Sequence, residues 1–406
     1  VQLPLVIDPA DVFTVVQTGV LASAAPFKVA GAGSKASETA ADAGDHQEEE
    51  GGGGAPPKEE MDVEIQYGEK PQLAVGRLAG VLSHASLLAR YLATERLDPA
   101  QFQRAAARAL AGARGVRLRA LEDPARRGLA LLGAVGQGAR VPPRLLLIEY
   151  DGAPKSSRDG ADTETTLLVG KGITFDTGGL HLKPTRYIEN MYLDKGGAAA
   201  VVGALWALAQ LGAPVRAVGA LPLAENAVGP DAVKPSALLR SLSGTTVEVG
   251  NTDAEGRLAM ADAITWGARA YRPSQIVDIA TLTGSCISAL GEQTAGLFHN
   301  RAGRRLARKL RHAGKACGEH TWHLPITPEH RESIRGEQAD INNDGKGHGG
   351  GASQAAAFLE RFVPRGTPWV HLDIAGPGML SGPHHYWPKG GTGFGAQLLA
   401  HWLSQR

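Results

Sequence analysis

Two carboxylates and a guanidinium alternate with small residues in Asn251-Thr252-Asp253-Ala254-Glu255-Gly256-Arg257-Leu258. The run before it, Thr245 to Val249, reads as a strand, and Leu258 to Ala270 reads as a helix. A strand end feeding a helix is where open α/β sheets place their ligands. On an extended backbone Asp253 and Glu255, two positions apart, would point to the same side. Two converging carboxylates call for cations. Taken alone, an Asp-x-Glu-x-Arg run is ordinarily a solvated turn with a local ion pair, so the chemical reading needs partners elsewhere in the chain.

Those partners lie upstream. The strand-like Thr166 to Gly170 leads into Lys171-Gly172-Ile173-Thr174-Phe175-Asp176-Thr177-Gly178-Gly179-Leu180-His181-Leu182-Lys183, whose glycines permit tight turning and close approach to a ligand. Asp194 follows, just before the Ala-rich helical run from Gly196 to Leu211, which ends at Gly212 and Pro214. An acid at a helix start is ordinarily a cap, stabilising by roughly 0.5 to 1 kcal/mol. With Asp176, Asp253 and Glu255, however, it becomes the fourth carboxylate of one cluster, because all four fall at strand ends or helix starts that could share one edge of a sheet. Four carboxylates that close raise one another's pKa and cannot all stay ionised uncompensated. Two divalent cations would cancel them, leaving Lys183 and Arg257 as net positive charge suited to an oxyanion transition state.

The octapeptide, together with the Lys171 to Lys183 run, resembles the signatures of the leucyl aminopeptidase family, two-metal aminopeptidases of the cytosol. Further matches cover most of residues 73–406: Gly136 to Leu145, Leu223 to Pro230, Thr281-Leu282-Thr283-Gly284, Gly350 to Phe362 and Trp369 to Gly376. The resemblance implies that Asp176, Asp253 and Glu255 ligate one metal. Asp176 and Glu255 would bridge to a second, which also takes Asp194 and the neutral amine of Lys171. It implies that Lys183 polarises the scissile carbonyl and that Arg257 holds a bicarbonate acting as general base. Thr281, Leu282 and Gly284 would contact the substrate backbone, with Met191 and Ala375 lining the pocket for the first side chain. The implied activity is release of unsubstituted N-terminal amino acids from peptides, with a leucine-like preference. Two departures stand out. Ser236-Ala237 replaces the family's usual Gly-Asp in a loop, and Gly378 stands where relatives often have methionine, which reshapes the pocket. Without a histidine ligand, Zn²⁺, Mn²⁺ and Mg²⁺ all suit the donor set. A catalytically degenerate scaffold or a DNA-binding regulator is the alternative function, and a homohexamer is the implied assembly.

Positioning these residues requires an α/β domain with a mixed, largely parallel sheet flanked by helices. Continuous apolar runs mark buried strands at Pro142 to Tyr150, Thr166 to Gly170, Val215 to Leu221, Gln275 to Ala280 and Trp369 to Ile374. Helical periodicity covers Leu73 to Thr94 and Pro99 to Gly112. The catalytic domain is placed at residues 73–406. Residues 1–72 are then a reduced remnant of the family's N-terminal domain, with a strand and short helix over residues 1–30 and Val63 to Tyr67 as an ordered stretch. Residues 30–61, with Glu48-Glu49-Glu50, Gly51 to Gly54 and Pro56-Pro57, bury too little apolar surface to offset their ordering entropy and read as a disordered insertion.

The chain of 406 residues is 43% hydrophobic with net charge +1, which allows a large core and gives no long-range attraction to nucleic acid or anionic membrane. Two cysteines, Cys286 and Cys317, form no disulfide framework and fit a reducing, cytoplasmic setting. The chain begins at Val1, compatible with a removed targeting segment. No run reaches the roughly 18 apolar residues of a membrane span. Arg301 to Lys315 is read as a solvated amphipathic helix rather than a nucleic-acid patch. The glycines of Asn342 to Gly351 lack the P-loop order. His371 and Asp373 read as strand residues satisfied by local hydrogen bonds, and His384 and His385 receive no role.

Overall fold

A computed structural model describes residues 70–153, 164–347, 349–384 and 387–405, with side chains from residue 75 onward. The expectations for residues 1–30, for the 30–61 insertion, for Val63 to Tyr67 and for His385 lie outside the described residues.

The five strands read from continuous apolar runs, β2 (Arg144–Asp151), β3 (Thr165–Gly170), β5 (Arg216–Asn226), β8 (Gln275–Ala280) and β12 (Trp369–Asp373), form the centre of a nine-stranded sheet. The sheet also contains β1 (Val116–Glu122), β4 (Gly172–Asp176), β9 (Ala295–His299) and β10 (Thr321–His323). Their order is β1-β2-β5-β3-β8-β12-β9-β10, with β4 added beside the far half of β5. The central run β5-β3-β8-β12 is parallel, while β1, β2 and the β12–β9 pair introduce antiparallel edges. The sheet is therefore mixed and largely parallel, as expected.

Helices cover both faces, which is why the central strands are apolar on both sides. Leu168, Val277, Ile279 and Leu372 point to one core with α1 (Lys70–Thr94), α2 (Pro99–Ala109), α5 (Gly196–Leu211), α8 (Arg304–Ala316) and α11 (Ala396–Ser404). Leu167, Val169 and Ile276 point to the other, with α3 (Ala130–Gly136), α6 (Glu255–Tyr271) and α10 (Gly351–Glu360). The alternation follows the two-residue period of a strand. Shorter helices are α4 (Thr185–Ile188), α7 (Gly284–Leu290) and α9 (Pro328–Ser333). Helix α2 shows local sequence at work: Asp98 accepts from the Gln101 amide, Gln101 returns the bond to the Asp98 amide, and Pro99 fills the first helical position.

Two sequence readings need correction. The strand before the octapeptide, β7 (Thr246–Glu248), belongs to a separate three-stranded sheet with β6 (Leu238–Arg240) and β11 (Ile341–Asn342), not to the main sheet. Asp253 and Glu255 are not on extended backbone either: Thr252 and Asp253 form a turn, and Glu255 opens α6. A turn brings the two carboxylates together where strand alternation was expected to.

Glycines decide how closely the layers meet. A Cβ on Gly197 would collide with the carbonyl oxygen of Ile279, so only glycine lets the start of α5 settle onto the carboxyl ends of β3 and β8. That contact carries Asp194 to Lys171, which sits between β3 and β4.

Candidate metal centre

The expected cluster assembles at the carboxyl edge of the parallel strands. Asp176 ends β4, Asp194 precedes α5, Asp253 lies in the turn before α6, and Glu255 is the first residue of that helix. Asp176, Asp253 and Glu255 each offer an oxygen, and these lie within 4.8 Å of one another. Lys171 Nζ stands 2.7 Å from Asp194 Oδ2 and 2.9 Å from Glu255 Oε1. Lys183 Nζ lies 2.9 Å from Asp176 Oδ2 and also pairs with Asp253.

Asp194 has no helix-capping bond; Lys195 occupies the cap position, without a side-chain cap bond. Its carboxylate turns instead to Lys171 and accepts a bond of 2.7 Å from Thr281 Oγ1. The ordinary cap reading therefore fails.

Lys183 reaches Asp176 because the intervening loop doubles back. Gly178 and Gly179 take φ of +87° and +63°, and the Lys183 amide donates to Thr177 O at 2.9 Å. A side chain at either glycine would be strained.

Electrostatics show what the cluster lacks. Burial, then repulsion from Asp176, pushes the Glu255 carboxyl up to about 8, despite the opposing pull of Lys171. Burial likewise raises Asp194 to about 6 against the attraction of Lys171. Asp253 is raised by burial and by Asp176. Burial works to lower both lysines, but the facing carboxylates outweigh it and raise them. Glu255 Oε1 has only the Lys171 ion pair, and Oε2 is buried without a hydrogen bond. A buried carboxylate so placed costs energy unless charge compensates it. Carboxylate oxygens plus an amine are donors that hard or borderline dications accept, so the residues present fit a divalent metal site.

Arg257 faces the same region. Its Nη1 donates to Asn343 O at 2.7 Å, its Nε is buried without a partner, and burial lowers its pKa. Among the substrate-pocket candidates, Thr281 and Ala375 are buried and Leu282 is half-buried. Gly284 is exposed at the start of α7, and Met191 opens the single helical turn leading to Asp194.

The catalytic-domain model of the cytosol aminopeptidase family matches residues 87–400. The chain belongs to the cytosol aminopeptidase family. A probable cytosol aminopeptidase of Chlorobaculum tepidum is 45% identical over 278 residues, 67% of this chain and 52% of that protein. One from Syntrophotalea carbinolica is 44% identical over 329 residues, 80% of this chain and 64% of that protein. The chain thus spans between about half and two thirds of these relatives' length. Among solved structures, the bottromycin maturation enzyme BotP in complex with Mn superposes with a TM-score of 0.76 at 38% identity, covering 83% of this chain and 73% of that one.

Several residues of this family member's site escaped the sequence reading. Asn226, ending β5, donates to Asp176 Oδ1 at 2.8 Å and to Thr252 O at 3.0 Å. Thr252 Oγ1 donates to Gly178 O and accepts from the His181 amide, tying the glycine turn to the octapeptide. Asn343 accepts from the Gly250 and Asn251 amides and donates to the Asn251 and Ala254 carbonyls. It lay within the Gly-rich stretch weighed only for phosphate binding. Gly256 is required because a Cβ there would press on the Lys171 side chain. Thr252 and Gly256 stand in the octapeptide, but nothing local marks the roles of these residues, since their partners are far away in sequence.

His371 and Asp373 are buried strand residues, but most of their side-chain partners lie far away in sequence rather than nearby, and His371 Nε2 is buried without one. His371 Nδ1 pairs with Asp278 Oδ1 at 2.5 Å, and Trp369 Nε1 donates to Asp278 Oδ2. Among the described residues no helix is long and apolar enough to cross a membrane.

Proposed function

We propose that residues 73–406 form a metal-dependent aminopeptidase domain that releases unsubstituted N-terminal residues from peptides. The observation that carries this reading is the buried Glu255 carboxylate, one oxygen paired only with Lys171 and the other without a partner, beside Asp176 and Asp253. Lys171, Asp176, Asp194, Asp253 and Glu255 would hold two divalent ions, Zn²⁺, Mn²⁺ or Mg²⁺. Bound, these supply Lewis acidity toward a peptide carbonyl and activate water at neutral pH.

Lys171 would serve as a neutral amine, its proton displaced by the adjacent dication. Lys183 keeps its proton, which Asp176 and Glu255 favour over the opposing effect of burial, and donates toward the carbonyl oxygen. Arg257, anchored by one nitrogen to Asn343, has its Nε left for an anion; bicarbonate, the general base implied by the resemblance, suits it. Thr281, Leu282 and Gly284 align the peptide backbone, with Met191 and Ala375 beside the first side chain. Gly378 removes the bulk relatives often place there, which weakens a strict leucine preference. A homohexamer in the cytoplasm is carried over from the family.

The test is metal analysis combined with a panel of aminoacyl amides. Asp253→Ala is expected to lose both metal and turnover. A variant keeping two metals and normal turnover would remove the site assignment, whereas a wild-type protein that holds metal and hydrolyses no amide would be a degenerate scaffold.

A further inference from the structure

At the carboxyl ends of β8 and β12 two neighbouring chains part. Asp373 and Ala280 are register partners on these parallel strands; beyond them one chain runs through Thr281 to Gly284 into α7, and the other turns through Ile374 to Gly378. Diverging chains leave amides without ladder partners, and buried amides need acceptors.

One side chain collects them. Asp373 is fully buried, and its Oδ1 accepts from the amides of Leu282 at 3.2 Å, Thr283 at 3.4 Å and Ala375 at 3.2 Å. Its Oδ2 accepts from Thr283 Oγ1 at 2.6 Å. The same hydroxyl accepts from the Cys286 amide and caps α7. With its lone pairs so engaged, Asp373 is spent on the protein and offers little to a metal or substrate.

The loop it shapes is attached to the metal centre at its other end. Thr281 Oγ1 donates to Asp194, and Thr281 O accepts from Lys171 Nζ at 3.1 Å. We propose that Asp373 is a positioning residue that sets the shape of the 281–284 loop and the 375 edge of the pocket, and thereby peptide affinity, while leaving metal binding intact. This rests on the aminopeptidase reading for its kinetic consequence, though not for the loop geometry.

The variants are Asp373→Asn, which keeps the volume but removes the charge and puts an NH₂ donor in place of one accepting oxygen, and Thr283→Ala, with Thr283→Ser as the conservative control. Five quantities are measured on the full chain: metal content, kcat and KM on an aminoacyl peptide, the dissociation constant of a peptide whose first amide is reduced, and hydrogen exchange at Leu282, Thr283 and Ala375. For Asp373→Asn the expectation is a KM and a dissociation constant at least about tenfold higher, the scale of one lost charge-assisted hydrogen bond. Exchange at the three amides should be faster, kcat within about threefold, and metal content equal to wild type. Thr283→Ala should show a smaller loss that Thr283→Ser restores.

Unchanged affinity and exchange in Asp373→Asn would overturn the proposal. Loss of metal in step with affinity would overturn it too, since the residue would then support the whole site. A wild-type protein without turnover removes the aminopeptidase reading alone, because exchange at the loop still decides the role of Asp373.

Discussion

At the scale of single residues, the site depends on side chains that have no alternative place to go. Gly256 is the sharpest case, because a methyl group there would occupy space held by the pinned Lys171 chain. Gly256→Ala should favour the helix by up to about 1 kcal/mol through propensity yet displace the Lys171 amine from Asp194 and Glu255. The expected result is a urea midpoint near wild type with metal affinity reduced at least about tenfold, read by metal titration. His371 gives the opposite pattern. Removing its ring leaves the buried Asp278 carboxylate with Trp369 as its remaining side-chain donor. His371→Ala should cost about 3 kcal/mol of stability in urea unfolding, the scale of stranding a buried polar group, while metal content stays unchanged.

At the scale of elements, close packing of α5 on the strand ends is what delivers Asp194. Gly197→Ala would force a Cβ against the Ile279 carbonyl, and overpacking of this kind costs about 1 to 3 kcal/mol. Denaturation should show that loss, and metal binding should weaken with it because Asp194 moves with the helix. Helix α11 is tuned from another element. Glu319, buried, accepts from the Leu398 amide at 2.8 Å near the start of α11, and burial pushes its carboxyl from 4.5 up to about 8. Between those values the folded protein keeps a proton that the unfolded chain has released. Folding then takes up a proton, and the Glu319 contribution to stability falls as pH rises from about 4.5 to 8. Glu319→Gln still accepts from Leu398, so the melting temperature of the variant relative to wild type should rise from pH 5 to pH 8. A constant difference across that range would sink the assignment.

At the scale of the whole molecule, the two cores and the site are coupled through the sheet. Glu255 begins a helix of one core, Asp194 precedes a helix of the other, and Lys171 meets both at the strand edge. A ligand that binds only the folded arrangement stabilises it by mass action, by about 4 kcal/mol at a thousandfold excess over its dissociation constant. Chelation should therefore lower the melting temperature of the whole chain in one cooperative transition, and adding back Mn²⁺ or Zn²⁺ should restore it. A melting temperature indifferent to chelator would contradict metal binding across both layers.

Much of this was legible in the residues themselves. Continuous apolar runs located the central strands because strands buried on both faces have no polar side to show. The four carboxylates and their basic companions were visible as types at strand ends and helix starts. The glycines before Lys183 were legible too, as residues that permit a tight turn. What the tertiary structure alone decided was partnership. It replaced strand alternation by a turn at Asp253 and Glu255, moved β7 into a second sheet, and turned Asp194 from a cap to Lys171 and Thr281. It also recruited Asn226, Asn343 and Asp373 as acceptors and donors. The physical reason is that backbone preference is set by neighbours along the chain, whereas a buried polar group bonds to whatever the fold brings within about 3 Å, and here those partners come from strands and loops remote in sequence.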